Sequence, residues 1–289
     1  MIAMERFYCL AGITFRITGD PDQLYLDGDP LDQYRAEGPR YDHSMEFSIV
    51  SSLPKPTGEC LFSKPSFQVY GDGETQTICV GDGLQMPEAT YLQIRRQGNH
   101  SNVQVMRRAV PDWIRSKLVL NSMELEHHLA QRRGFLLHAS FIKWKNSAIL
   151  FTAPSGTGKS TQAELWRNLR GAEIINGDRC AVTVEKEAIT AWGVPFCGTS
   201  GIFRNTSAPL ADIVYLSQAP ESSVNKLTGF RAFRCIWEGC SVNVWNKADV
   251  AHCTGAVEET VQRIPILHLS CTPDETAVRV LEECLRREA

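Results

Sequence analysis

No apolar run in this chain of 289 residues reaches the roughly eighteen residues that a membrane-spanning helix requires, so no membrane span is expected. An excess of positive charge is missing as well. The formal net charge is −3, which excludes the global basic field that draws proteins to nucleic acid. Paired metal-ligand spacing is also absent. The cysteines stand at 9, 60, 79, 180, 197, 235, 240, 253, 271 and 284, with no C-x-x-C pair and no Cys/His cluster, which argues against structural zinc. Residues 1–19 lack a basic segment leading into a long apolar core and a small-residue cleavage site, and they read as strand. The expectation is a cytoplasmic protein whose cysteines are reduced and mostly buried.

What is there is ordinary globular material. Hydrophobic residues make up 43% and charged residues 22%, enough to fill two small cores. The first 110 residues read as a β-rich domain. Strand candidates are 7–18, 45–51, 66–70, 76–80 and 89–110, the last long enough for two, with a turn at Gly71-Asp72-Gly73. The polar stretch 20–42 reads as a long loop or mobile segment. From Pro111, which suits a first helical turn, Trp113, Leu118, Leu120, Leu125 and Leu129 recur at near-helical spacing up to Gly134. That predicts a connecting helix over 111–134.

Residues 135–289 alternate strands and helices, the mark of an α/β domain. Strands are expected at 135–144, 147–153, 173–176, 181–184, 189–192, 212–217 and 265–270. Helices are expected from Lys159, over 250–263, and over 273–287 with Thr272 as N-cap.

The strongest signal is Ala153-Pro154-Ser155-Gly156-Thr157-Gly158-Lys159-Ser160-Thr161, directly after the apolar strand. Glycines let backbone N–H groups turn toward anionic oxygens, and the start of a helix adds unpaired N–H groups and the positive end of its dipole. Ser155, Gly156, Thr157, Gly158, Lys159, Ser160 and Thr161 therefore read as a nucleoside triphosphate cradle. In it Lys159 reaches the β- and γ-phosphates and Ser160 holds Mg²⁺. Ala153 stands where a first glycine is usual, and alanine resists a positive φ. About eighteen residues on, a short apolar strand ends at Asn176-Gly177-Asp178. Asp178 is the expected acidic partner of the metal, directly or through water.

His138-Ala139-Ser140, the hairpin, the loop 154–160 and Asn176-Gly177-Asp178 together resemble the HPr kinase/phosphorylase family. The segment Trp192-Gly193-Val194-Pro195-Phe196-Cys197-Gly198 is similar to the Gly-x-Pro-Trp-x-Gly region of HPr-kinase-like proteins encoded beside peptide-modification genes. The resemblance covers about residues 135–289. It implies a phosphoenolpyruvate carboxykinase-like P-loop fold, preceded by the smaller β-rich (α+β) domain. It also implies ATP (or GTP) and Mg²⁺ as cofactors, and His138, Lys159 and Asp178 in the active site. That family carries two adjacent aspartates where this chain has Gly177-Asp178. Proton removal from an acceptor then falls to Asp178, to His138 or to water.

Arg204, in the polar loop after Gly198, has the fork that suits a transferring phosphate; as part of a solvated loop it would have no such role. Lys226, Arg231 and Arg234 form a modest basic patch that could attract an acidic peptide, although a solvated helix face is the plainer reading of it. The leading expectation is an ATP-dependent kinase acting on a serine or threonine of a peptide or small protein. The amino-terminal domain would hold the acceptor, and a homo-oligomer is compatible with that role. The alternatives are a small-molecule phosphotransferase and a nucleotide-binding regulator that no longer transfers phosphate.

Overall fold

The computed structural model describes residues 4–26, 30–83, 89–110 and 113–288. The chain is a mixed α/β protein that divides into two compact units, one ending at Glu124 and one beginning at Leu125.

The first unit contains β1 (Met4–Leu10), β2 (Ile13–Gly19), β3 (Leu24–Tyr25), β4 (His43–Val50), β5 (Glu59–Lys64), β6 (Phe67–Asp72), β7 (Thr75–Gly81), β8 (Thr90–Gln97), β9 (His100–Met106), β10 (Ile114–Arg115) and α1 (Ser116–Ser122). Eight strands form one sheet in the order β1-β2-β4-β9-β8-β7-β6-β5, and β3 pairs with β10 apart from it. The β2–β4 and β4–β9 pairs are parallel. Ile13, Phe15 and Ile17 are buried while Thr14, Arg16 and Thr18 between them are half-buried, the period-two signature of a sheet with one packed face.

Several local expectations change. The strand expected over 7–18 is a hairpin that turns at Ala11-Gly12. Ala11 adopts a left-handed φ of 50°, which an alanine does not advertise. The turn expected at 71–73 lies two residues later, because Gly71 and Asp72 still belong to β6. Edge strand β5 went unread because its residues are mostly exposed and carry no alternation. Within 20–42, Leu31 and Tyr34 of a 3₁₀ turn are fully buried. Pro111 and its proposed helix start lie outside the described residues. The single helix expected over 111–134 is two, α1 and α2 (Leu125–Gln131). They are interrupted at Glu124, whose φ of 47° no α-helix accommodates.

The second unit continues with β11 (Gly134–Trp144), β12 (Ser147–Thr152), α3 (Lys159–Arg170), β13 (Glu173–Asn176), β14 (Arg179–Val184), β15 (Ile189–Gly193), β16 (Ser207–Gln218) and β17 (Ser223–Leu227). After these come α4 (Gly229–Trp237), β18 (Cys240–Ser241), α5 (Lys247–Arg263), β19 (Ile266–Cys271) and α6 (Glu275–Glu288). Lys145 and Asn146 turn the β11–β12 hairpin with φ of 49° and 65°, the twist a two-residue connection favours.

Two long strands organise this unit. Residues 134–138 of β11 pair with β14, and residues 139–144 pair with β12. In β16, residues 207–209 pair with β15, and the strand then runs parallel to β12 and β19. The pairings β12-β11-β14-β15-β16-β12 therefore close a ring. Helices α3 and α6 cover one face through Ala163, Trp166, Ala277, Val278 and Leu281. On the other face α4 and α5 bury Ala232, Ile236, Cys253, Ala256 and Val257. The parallel strands β12, β16 and β19 all end on the side where β12 feeds the glycine loop.

The start of α6 is capped by Asp274, not Thr272: the Thr276 N–H donates to Asp274 Oδ1 at 2.9 Å, and Thr272 Oγ1 donates to the other carboxylate oxygen. A carboxylate beside the first-turn amides outcompetes a hydroxyl there. None of the ten cysteines is in a disulfide, and only Cys60 is exposed. Among the described residues no helix is long and apolar enough to cross a membrane.

Candidate active site

The loop between β12 and α3 turns on two glycines. Gly156 has φ +80° and Gly158 has φ +118°, and no heavy atom lies within 4 Å of a Cβ placed on either. Glycine is required there by backbone conformation, and the inner surface stays open. Ala153 does not share this demand. It is buried, packs into the core beneath α3, and is not among the residues with positive φ, so alanine costs the loop nothing at that position.

Helix α3 begins at Lys159, and its N-cap, Gly158, supplies no side-chain hydrogen bond. The first-turn N–H groups are therefore uncapped by any side chain and aligned with the positive end of a twelve-residue helix. The Lys159 ammonium is buried and folds back along the loop, donating to the Ala153 carbonyl at 2.9 Å and the Pro154 carbonyl at 3.3 Å. Burial lowers its pKa, and nearby Asp178 opposes that shift.

Across from the loop stands the end of β13. Asn176 is fully buried and fixes the turn that follows. Its Nδ2 donates to the Val194 carbonyl at 2.6 Å, and its Oδ1 accepts the N–H groups of Asp178 and Arg179 at 2.8 and 2.9 Å. This Asx turn aims the Asp178 carboxylate at His138, with Oδ1 3.4 Å from His138 Nδ1 and Oδ2 3.6 Å from Arg179 Nε. His138 is held through its own backbone: its N–H donates to the Gly239 carbonyl at 2.8 Å, and its carbonyl accepts Thr152 Oγ1 at 3.0 Å. Burial lowers the imidazole pKa, with Lys159 and Arg179 adding to the effect and Asp178 opposing it. At neutral pH the ring is therefore an uncharged proton acceptor.

These groups converge on a cavity of about 280 Å³, lined by Ser155, Gly156, Gly158, Lys159, Ser160 and Thr161 on one side and by His138, Gly177, Asp178 and Ser200 on the other. Among curated proteins and family models no match to the chain is found. Among solved structures the chain is similar to the Hpr(Ser) kinase/phosphatase from Coxiella burnetii, at 12% identity and a TM-score of 0.29, over 53% of this chain and 88% of that one. A likeness that faint carries no weight beside the geometry.

Two residues singled out from sequence stand apart. Arg204 pairs with Glu173 at 3.3 Å at the opposite end of β13, with both side chains about half exposed, and does not line the cavity. Thr157 donates to the Pro154 carbonyl at 2.9 Å and lines a separate hollow with Tyr215 and Ser217. Conversely, Ser200 enters the cavity without having been singled out. A Cβ on Gly177 would collide with Ser200 Oγ and stand 2.7 Å from Ser200 Cβ. Gly177-Asp178 therefore has only one side chain because a neighbouring loop fills the space of the other. The signal for Asn176 was present in Asn-Gly-Asp, whose first residue readily receives the turn amides. Nothing local marked Ser200. A larger hollow of about 540 Å³ lies in the first unit among Pro54, Lys55, Tyr70 and Gln93. It does not bring a carboxylate, an imidazole, a buried lysine and the start of a helix together as the smaller cavity does, so the smaller cavity is the candidate site.

Proposed function

We propose that the protein is an ATP-dependent (or GTP-dependent) phosphotransferase that places the γ-phosphate on a serine or threonine of a peptide or small protein, built on a phosphoenolpyruvate carboxykinase-like P-loop domain. One observation carries this reading: the uncapped amides of α3 and the Lys159 ammonium face His138 and Asp178 across a single cavity. The amides and Lys159 bind phosphate oxygens, and Lys159 leaves the loop carbonyls to do so.

The donor set suits Mg²⁺. The Ser160 hydroxyl and the Asp178 carboxylate both line the cavity, and magnesium is commonly held by one or two carboxylates together with phosphates and water. Bound there, the ion would neutralise charge on the β- and γ-phosphates. The acceptor oxygen forms a bond to the γ-phosphorus while the β–γ bridging bond breaks, and the nucleoside diphosphate leaves with the electron pair. Neutral His138 takes the hydroxyl proton, and Asp178 stabilises the imidazolium through Nδ1. An adjacent second carboxylate is not needed for that transfer, which depends mainly on positioning and charge.

The test is calorimetry with Mg·ATP and Mg·GTP, followed by transfer of γ-labelled phosphate to peptides. Lys159→Ala is expected to lower transfer by at least about a hundredfold. Wild-type protein that takes up neither triphosphate in the presence of magnesium would end this reading.

A further inference from the structure

Residues at the start of the loop also wall a second cavity of about 280 Å³, lined by Thr152, Ala153, Pro154, Tyr215, Glu238 and Gly239. His138 and Ser155 line both cavities, so the imidazole stands at the boundary between them. Resting on the phosphotransferase reading, we propose that this second cavity receives the phosphoryl acceptor, and that the acceptor is a serine or threonine with a lysine or arginine beside it in sequence.

Three observations carry the assignment. The first is position. A hydroxyl bound in the second cavity would share His138 and Ser155 with the phosphate cradle, which sets acceptor, base and loop side by side. The second is that the wall is built to register. The end of α4 is pinned to β11 through the His138 N–H bond to the Gly239 carbonyl, and Gly239 N–H closes the helix on the Ile236 carbonyl at 2.9 Å. Gly239 is tight as well as pinned, since a Cβ there would stand 2.9 Å from Thr152 Oγ1 and 3.0 Å from Leu137 Cδ1. Tyr215 is held in strand register with Thr152, and burial raises its pKa, so its hydroxyl remains a hydrogen-bond donor at neutral pH.

The third observation is charge. Among the described residues lining this cavity, Glu238 is the one carboxylate, and no lysine or arginine joins it. It pairs with Arg234 at 3.5 Å, one helical turn away, and both side chains are more than half exposed. Such a pair is weak in water, so a substrate cation can displace Arg234.

The test uses the intact protein with Mg²⁺ and γ-labelled ATP on an array of peptides carrying one fixed serine, with Lys, Arg, Ala, Asp or Glu at each flanking position. Wild-type protein is expected to label peptides with flanking Lys or Arg about tenfold more efficiently than those with Asp or Glu. Glu238→Lys should invert that ratio, and Glu238→Gln should bring it near unity. Labelling without a basic preference, or a preference that Glu238→Lys leaves unmoved, overturns the proposal and leaves the kinase reading standing. A raised KM for ATP in Glu238→Lys with the peptide ratio unmoved assigns the cavity to the nucleotide instead, and also overturns it. Wild-type protein that binds Mg·ATP yet labels no peptide overturns the kinase reading and this proposal together.

Discussion

Replacing Gly177 by alanine tests the packing of the site more sharply than removing any of its charges. Gly177 is not among the residues with positive φ, so its backbone admits any side chain, and only the space above it does not. The new methyl group would stand 2.7 Å from Ser200 Cβ and collide with Ser200 Oγ. Ser200 cannot swing aside freely, because its hydroxyl donates to the Cys197 carbonyl at 2.8 Å and accepts the Ile202 N–H at 3.2 Å. Overpacking of this kind costs about 2 kcal/mol, which for a folding unit of this size lowers the Tm by about 4–8 °C. Ser200→Gly removes the obstacle at the price of those two hydrogen bonds, about 1 kcal/mol each. In the double variant the clash is gone, so the two changes should be non-additive by about 1–2 kcal/mol. Thermal unfolding of the four proteins followed by circular dichroism measures that coupling, and Mg·ATP titration shows whether the displaced loop closes the cavity. Strict additivity, or a Gly177→Ala protein that melts with the wild type, would refute the claim that Ser200 occupies the space beside Gly177.

Other expectations follow from features far from that contact. Asp249→Ala should lower stability by about 3–5 kcal/mol in chemical denaturation, since the buried carboxylate accepts from Gln131 and Asn243 and bonds to His127 at 2.8 Å. Gly158→Ala should weaken Mg·ATP binding by about tenfold or more in calorimetry, because φ +118° lies outside what alanine adopts without strain. Burial and neighbouring Arg231 lower the His268 pKa, in a ring that hydrogen-bonds Ser217 and lies beside Tyr215. Below about pH 6.5 the unfolded chain takes up a proton that folded His268 resists. Stability from this group is thus present at higher pH and declines as pH falls from about 7 toward the lowered native value. His268→Asn should flatten the Tm profile between about pH 7 and 5, and an unchanged slope would remove His268 as a cause.

The part of the molecule that could be read from sequence is the part with local causes. An apolar strand, two glycines, a lysine and a helix follow one another within a few turns of chain, and Asn-Gly-Asp announces its own turn. His138 was singled out only through the resemblance to the HPr kinase/phosphorylase family, since nothing local distinguishes it from any other strand histidine. Ser200, Tyr215 and Glu238 were not legible. Tyr215 and Glu238 reach the neighbouring cavity through the register of β16 and the docking of α4, and Ser200 reaches the candidate site in the turn after β15, so contacts between residues far apart in sequence place all three. The same limit explains Arg204. Its chemistry suits phosphate, but the strand it lies against turns it toward Glu173. In the first unit, the exposed strand β5 and the left-handed Ala11 lacked any compositional mark.

Strand β11 runs without interruption along the ring of pairings in the second unit, and His138 is the last residue before its pairing passes from β14 to β12. A transplant of the glycine loop with its flanking strand and helix into another scaffold would therefore carry anion affinity but leave the imidazole behind. Moving residues 134–184 as one block would preserve the spacing between cradle and imidazole, with the tip at Lys145-Asn146 as the place where added residues do least harm.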